Sequence, residues 1–392
     1  MEYQKVLQKL YKLKAFGSRL GLSRIRELER RLGRPSRKFR CILVAGSNGK
    51  GSVALMIARG LQAEGYRTGL YLSPHLDDFR ERISVNGRRI SKRAVVKEYE
   101  LVNKIAEGMK SKPTFFELIT AMALDYYARR KAEWAVLESG MGGRLDATNV
   151  VEPELSVITR IDLEHTRRLG KTLERIAHEK AGVMRSGKKV VTGAEGRGLK
   201  QLKREAEKKG AELKVVEGKY ASRVGMTGEY QRRNAAIASR ALRELGVSKK
   251  AIASGIANAK LAGRFEIVRK RPLEIHDSAH NPAGMKVLAR EVSKRKFRRL
   301  ILVFGVMKDK EYEKMLKNIA PLADEVIVNE PALERSAKAE QVARIARKYN
   351  KQTRVVEDVR ASVREARKSA GKEGVVLITG SLYMLAEARG RD

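Results

Sequence analysis

The sequence predicts an α/β protein made of two sheet domains, a larger and mostly parallel one first and a smaller, doubly wound one after it. Three observations predict this. Short apolar runs of strand length alternate with longer runs of helical period; the first strand ends in a glycine-rich turn; and the alternation restarts more regularly near residue 272. The 392 residues, 42% apolar and 33% charged, suffice for two or three domains with buried cores. A composition this apolar excludes an extended disordered chain. No apolar run reaches the ~20 residues that cross a bilayer. Residues 1–17 mix charge into a helical period without an apolar signal core, which points to a cytoplasmic protein. Cys41 is the single cysteine, so neither a disulfide framework nor a cysteine zinc cluster is available.

Residues 2–34 carry Val6, Leu7 and Leu10, then Ile25, Leu28 and Leu32, at helical spacing and read as helix. CILVAG (41–46) is a short buried strand running into glycines, and SVALMIARGLQAEG is the helix after it. Gly65 ends that helix and TGLYLSPH opens the next strand, which completes a βαβ unit. Further strands fit 83–87, 134–140, 155–161 and 189–193, and helices fit 92–109, 115–131, 172–184 and 198–209. Strands alternating with helices imply a parallel sheet covered on both faces. Beyond residue 272, strands fit 273–277, 300–305, 324–330, 353–358 and 375–380, each followed by a helix. Five such repeats make a Rossmann-like domain. The expected domains are 1–265, a P-loop-type, mostly parallel sheet domain with a helical lead-in, and 266–392.

Lys and Arg number 84 against 46 Asp and Glu, a net charge of +38. Such a field attracts polyanions. The basic residues are nevertheless spread among acids along the whole chain, and aromatics are only 5%, so the pattern of a nucleic-acid binder is missing. A basic proteome or a hot habitat explains the charge without any partner.

Four segments carry chemistry. VAGSNGKGSV (44–53) lies between a strand and a helix, where Asn48, Gly49, Gly51 and Ser52 surround Lys50. Crowded backbone N–H groups, a lysine and a helix N-terminus are what a phosphate needs. The spacing is not the standard P-loop, because Gly46 precedes Lys50 by four residues and Gly51 stands where that motif has a hydroxyl. Glu138 ends the apolar strand WAVLE, the place where nucleotide-binding sheets hold Mg²⁺, although a strand-end glutamate alone is usually just solvated. IDLEHTRRLG places His165 shortly after a strand. IHDSAHNPAG (275–284) leads a strand through Asp277, His280 and Asn281 into a proline-started helix, a crevice of the type that takes ligands.

These residues carry a resemblance. The strings AGSNGKGS, LYLSPHLDDFRERISVNG, FFELITAMAL, LESGMGGRLDATN, HEKAGVMR, GEYQRRNAA, GRFE, DSAHNP, FGVMKDKEY and GSLYMLAEAR occur in order from residue 45 to 389. Together they resemble the folylpolyglutamate synthase/dihydrofolate synthase family of the Mur ligase superfamily. The resemblance implies an ATP-dependent amide ligase in which a folate or dihydropteroate carboxylate is phosphorylated and then attacked by the amine of L-glutamate. It implies Lys50 on the phosphates and Ser73, Glu138 and His165 as Mg²⁺ ligands, with two ions. It also implies a carbamylated Lys180, and Arg264 and His280 acting with Lys50 and Lys180 as the catalytic set. Asp277 would hold the ribose and Asn234 the adenine, and Arg82, Phe116 and Asp146 would face the pterin-bearing substrate. Departures are Glu164 where the family has Asp, Tyr230 where it has His, and Ser47 for Thr. Small-molecule substrates, no membrane, no nucleic acid and a monomer are expected. A ligase joining an amino acid to another carboxylate or pterin is the alternative, and a basic nucleotide-binding protein acting on nucleic acid the remote one.

Overall fold

The computed structural model describes residues 1–15 and 19–390. Contacts divide the chain into two compact units: Met1–Gly225 with Gln231–Ala259, and Met226–Tyr230 with Lys260 onward. The division falls at 259/260, a few residues before the expected 265, and residues 226–230 go with the second unit. The reason lies in Phe265, which is fully buried in the second core and donates its N–H to Asp277 of that unit.

The first unit contains an eight-stranded sheet: β1 (Arg40–Ala45), β2 (Thr68–Tyr71), β3 (Ile83–Val85), β4 (Arg88–Arg89), β5 (Trp134–Glu138), β6 (Pro153–Ile158), β7 (Lys189–Thr192) and β8 (Glu212–Val215). Their order is β4-β3-β2-β5-β1-β6-β7-β8. Six strands are parallel, and β3 and β4 add antiparallel at one edge. The central strands are buried along nearly their whole length, as expected of a parallel sheet covered on both faces. The lead-in is two helices, Tyr3–Ala15 and Ser23–Arg31, and not one continuous segment. Gly21, with φ near +143°, lies just before the second helix in a backbone region that helices do not use.

The second unit's sheet comprises β9 (Glu266–Lys270), β10 (Leu273–His276), β11 (Leu300–Phe304), β12 (Glu325–Val328), β13 (Thr353–Val355) and β14 (Val375–Thr379). Its order is β13-β12-β11-β14-β10-β9, with five parallel strands and β9 antiparallel at the edge. On β9, Ile267 and Val268 are 44% and 40% exposed, and Arg269 and Lys270 follow them.

One packing detail between helices is chemically unusual. Glu98, on the helix Lys92–Glu107, is buried against Asp125 of the helix Phe115–Arg129, and Arg129 holds the Asp125 carboxylate. Burial, and then the neighbouring Asp125, push the Glu98 carboxyl up to about 8. The folded state thus keeps a proton that the unfolded chain releases near 4.5, so the contribution of Glu98 to stability falls as pH rises from about 4.5 to 8 and is lost above that. Melting curves across this range should show a smaller decline for Glu98→Gln than for the parent. Parallel curves for the two proteins would mean that Glu98 is ionised in the fold.

Candidate active site

Four adjacent strands of the first sheet, β2, β5, β1 and β6, deliver the candidate residues at their carboxyl ends. β1 leads into the loop 46–49 and the helix Lys50–Ala63. The loop's shape is fixed from β6 onward. Ser47 Oγ donates to the Asp162 carbonyl at 3.0 Å and accepts from Asp162 N at 3.0 Å. Asn48 donates to the Asp162 carboxylate at 3.0 Å, while Thr159 Oγ1 donates to Asn48 O at 2.7 Å. The serine at position 47 therefore makes a hydroxyl clamp by itself, without the extra methyl of a threonine.

Lys50 Nζ folds back onto the carbonyls of Gly46 (2.9 Å) and Ser47 (3.3 Å), which keeps the ammonium beside the loop it would serve. Gly51 and Ser52 lie buried in the first turn of the helix, and Ser52 Oγ accepts from Gln231. Asn234 donates to Gln231 at 3.0 Å, and its Oδ1 lies against Gly49. The residue expected at the adenine is thus in contact with the phosphate loop itself.

Beyond β2, Ser73 N donates to Glu138 Oε2 at 2.8 Å. That bond joins the ends of β2 and β5 and brings a hydroxyl and a buried carboxylate side by side. These are hard oxygen donors, the type that Mg²⁺ takes, so the donor set fits the ion. Among the described residues, no group of three or more His, Cys, Asp or Glu forms a cage by itself, so substrate phosphates and water would complete such a sphere. His165 opens a short helix, Thr166–Leu169, with a left-handed backbone (φ 47°).

Among the described residues Lys180 is the best-buried cation of the first unit, with no exposed surface. Its Nζ lies 2.6 Å from Glu164 Oε1. Burial lowers the Lys180 ammonium to about 8, and Lys50 adds to this while Glu164 opposes it. Burial works to raise Glu164, but Lys50 and then Lys180 overcome it and hold the carboxylate at about 2. The glutamate that departs from the family pattern is therefore the counter-ion of the lysine.

Lys180 reaches this place because Gly143 and Gly182 let a loop and a helix touch. Arg144 N donates to Glu179 O near the end of the helix Leu173–Ala181, and a Cβ on Gly182 would meet Arg144 Cα at 2.2 Å. The same loop is tied internally by Asp146. Its carboxylate accepts from Thr148 N and Oγ1 and from Met141 N, and burial raises its pKa against those bonds. Asp146 is thus engaged in shaping the loop. Phe116 is half-buried with its ring against Gly140, and Arg82 is buried with Nε donating to His75 Nδ1 at 2.7 Å.

On the second unit, Asp277 is buried and its carboxylate accepts from Phe265 N, Ala279 N and Tyr230 Oη. The tyrosine that replaces the family's histidine therefore binds the aspartate expected at the ribose. Arg264 donates to Ser278 Oγ, and His280 Nδ1 donates to Ser278 O at 2.9 Å, which orients the imidazole. Asn281 caps the helix Pro282–Ser293 through Gly284 N.

Residues 44–217 match the Mur ligase middle domain, and residues 263–382 match the Mur ligase glutamate ligase domain. A dihydrofolate synthase/folylpolyglutamate synthase of Bacillus subtilis is 35% identical, over 96% of this chain and 96% of that protein. The chain belongs to the folylpolyglutamate synthase/dihydrofolate synthase family. A Haloferax volcanii protein named "Probable bifunctional folylpolyglutamate synthase/dihydropteroate synthase" is 36% identical over 99% of this chain. The chain spans about half the length of that relative and of its Halobacterium salinarum counterpart, at 50% and 52%. Among solved structures, Escherichia coli FolC in complex with DHPP and ADP superposes with a TM-score of 0.91 at 31% identity, covering 98% of this chain and 97% of that one. The Yersinia pestis bifunctional enzyme complexed with AMPPNP and a Mn ion has a TM-score of 0.88 at 30% identity, covering 100% and 98%.

Gly182→Ala tests how Lys180 is placed. Gly182 has an ordinary helical backbone (φ −59°), so the added methyl acts only by collision with Arg144. Overpacking of this kind costs about 1–3 kcal/mol. A lowered melting temperature together with a changed Lys180 environment is expected. A variant indistinguishable from the parent in both would mean that the loop yields freely.

Proposed function

We propose that this chain is an ATP-dependent ligase that joins L-glutamate to the carboxylate of a folate or of dihydropteroate. The observation that carries the reading is the assembly of the Lys50 loop, the Ser73–Glu138 pair and the buried Lys180–Glu164 pair at neighbouring strand ends. Its relatives' names and the ADP and AMPPNP in their complexes support it. A cytoplasmic location, with ATP and glutamate at hand, belongs to the same reading.

In the proposed reaction a substrate carboxylate oxygen attacks the γ-phosphorus of ATP. The bond to the bridging oxygen breaks, ADP leaves, and an acyl phosphate forms. The amine of L-glutamate then attacks the acyl carbon, phosphate leaves, and the amine gives up a proton as the amide forms. Both steps bring anions together, so fixed cations and N–H donors must act where charge accumulates. The loop N–H groups and Lys50 would hold the phosphates, with Ser47 and Asp162 keeping the loop in shape. Arg264, Asp277 and His280 are assigned to the nucleotide, and Asn234 to its adenine side. Arg82, Phe116 and Asp146 are assigned to the pterin-bearing substrate. Two Mg²⁺ ions belong to this reading, with Ser73, Glu138 and His165 as protein ligands, and would neutralise triphosphate charge.

Lys180 is assigned as a carbamate. An amine must be neutral to attack CO₂, and a lysine at about 8 is roughly one-tenth neutral at pH 7. The ammonium first loses one proton, the neutral nitrogen then bonds to the CO₂ carbon and loses a second, and a cation becomes an anion. Since Glu164 already provides one carboxylate there, Lys50 and the metal would balance the pair.

An ADP-release assay across dihydropteroate, tetrahydrofolate and a folate monoglutamate, each with L-glutamate, tests the activity. Glutamate-dependent turnover with at least one is expected, and turnover with none overturns the reading. Glu138→Gln keeps volume and removes charge, so it should abolish ligation and leave the melting temperature near that of the parent. Near-normal turnover would remove Glu138 from the metal site. For Lys180, ¹³C-labelled bicarbonate should give a carbamate carbonyl resonance that Lys180→Ala lacks. Short carboxylates should partly restore Lys180→Ala and not Lys180→Arg. A bare lysine in active enzyme would refute the carbamate.

A further inference from the structure

At the opposite, amino end of the first sheet lies a cleft of about 870 Å³, formed around the starts of β1, β5 and β6 and the helix Ser23–Arg31. Arg40 opens β1, whereas the phosphate loop follows Ala45. Five steps along a strand at ~3.3 Å each separate the two by about 17 Å. The cleft is therefore distinct from the site described above.

Its charge is not a balanced mixture. Four glutamates line it: two are paired with cations outside the cleft and two accept only from neutral N–H and O–H donors, so six lining cations face two uncompensated carboxylates. Glu29 accepts from Ser36 N (3.0 Å) and Oγ (2.5 Å), and Glu133 accepts from Arg67 N at 2.8 Å. Glu152 is paired with Arg185 at 3.0 Å, and Glu154 with Lys188 at 2.7 Å. Arg26, Arg30, Arg34, Arg37 and Lys38 line the same cleft as solvent-exposed residues, and no side-chain ion pair or hydrogen bond holds any of them among the described residues. Like charges gathered in a concavity repel one another and focus a positive potential into it. Guanidinium groups in such a place match phosphate and carboxylate oxygens two at a time. A volume of this size suits a small molecule and not an extended strand.

We propose that this cleft is a second anion site, which binds a compact organic polyanion carrying several phosphate or carboxylate groups. The protein has a built-in reporter of it. The Arg40 guanidinium, on the cleft wall, lies 4.3 Å from the ring centroid of Trp134, the only tryptophan of the chain. An anion that engages Arg40 changes the field on that ring.

The full chain is titrated with inorganic tripolyphosphate while Trp134 fluorescence is followed. A saturable change that weakens as salt is raised is expected, along with at least ~10-fold weaker binding to Arg30→Ala/Arg37→Ala. These two side chains hold no partner, so the variant should melt like the parent. Lys50→Ala should retain the signal, which separates the cleft from the phosphate loop. A tri-γ-glutamyl peptide forms the second arm. Tighter binding of the peptide assigns the ligand to the carboxylates, and tighter binding of tripolyphosphate assigns it to the phosphates. The proposal is overturned if neither anion gives a saturable change, or if the signal survives in the double-arginine variant. Loss of the signal in Lys50→Ala overturns it too, as does saturation by single-stranded RNA without response to either small anion. None of these readouts depends on ligation.

Discussion

A buried ammonium group needs a carboxylate against it, and around Lys180 that requirement organises the neighbourhood. Lys180 leans on Glu164, Glu164 is also drawn by Lys50, and Lys50 rests on the loop whose shape Asp162 fixes. Two acids from one short loop after β6 thus balance two lysines from different helices. Removing one partner would leave the other charge uncompensated, which is where burial becomes most costly. Because each charge leans on the next, the phosphate loop and the Lys180 helix are held as one electrostatic unit. Burial above all, with Lys50 adding to it against Glu164, leaves Lys180 with a weakened hold on its proton.

Backbone contact completes what charge begins. Gly182 lets the end of the Lys180 helix touch the loop after β5, and Asp146 ties that loop to itself. Glu138 stands at the start of the same loop, bonded to the chain after β2. Four strand ends are therefore tied together by polar bonds, and the candidate residues lie on them or in the short segments that follow.

The parallel strands were legible because their runs are apolar on both faces, and the phosphate loop because glycine, lysine and a following helix form a local pattern. Glu138 was legible from its position at a strand end. Glu164 and Asp162 were harder to read. Their partners are 16 and 114 residues away in sequence, and a loop carboxylate has no period to reveal it. Gln231, which holds Ser52 and Asn234, left no local signal either. The edge strands β4, β8 and β9 escaped because they are short and largely charged, so the alternation that marks a strand is hidden. Gly21, just before the second lead-in helix, holds a φ that helices do not use, while the apolar spacing around it stays helical.

The edge strand β9 gives the chain's excess charge a consequence in crowded solution. Its outer ladder is open and shows Ile267 and Val268 to solvent, the combination from which strands of separate copies zip together. Arg269 and Lys270 on the same strand set like charges opposite each other in any such pairing, and a net charge of +38 repels the approaching copy before contact. The net basicity of the chain thus acts as colloidal protection for an exposed edge strand. It also makes that protection dependent on ionic strength, so concentrated salt is the condition under which this edge becomes adhesive.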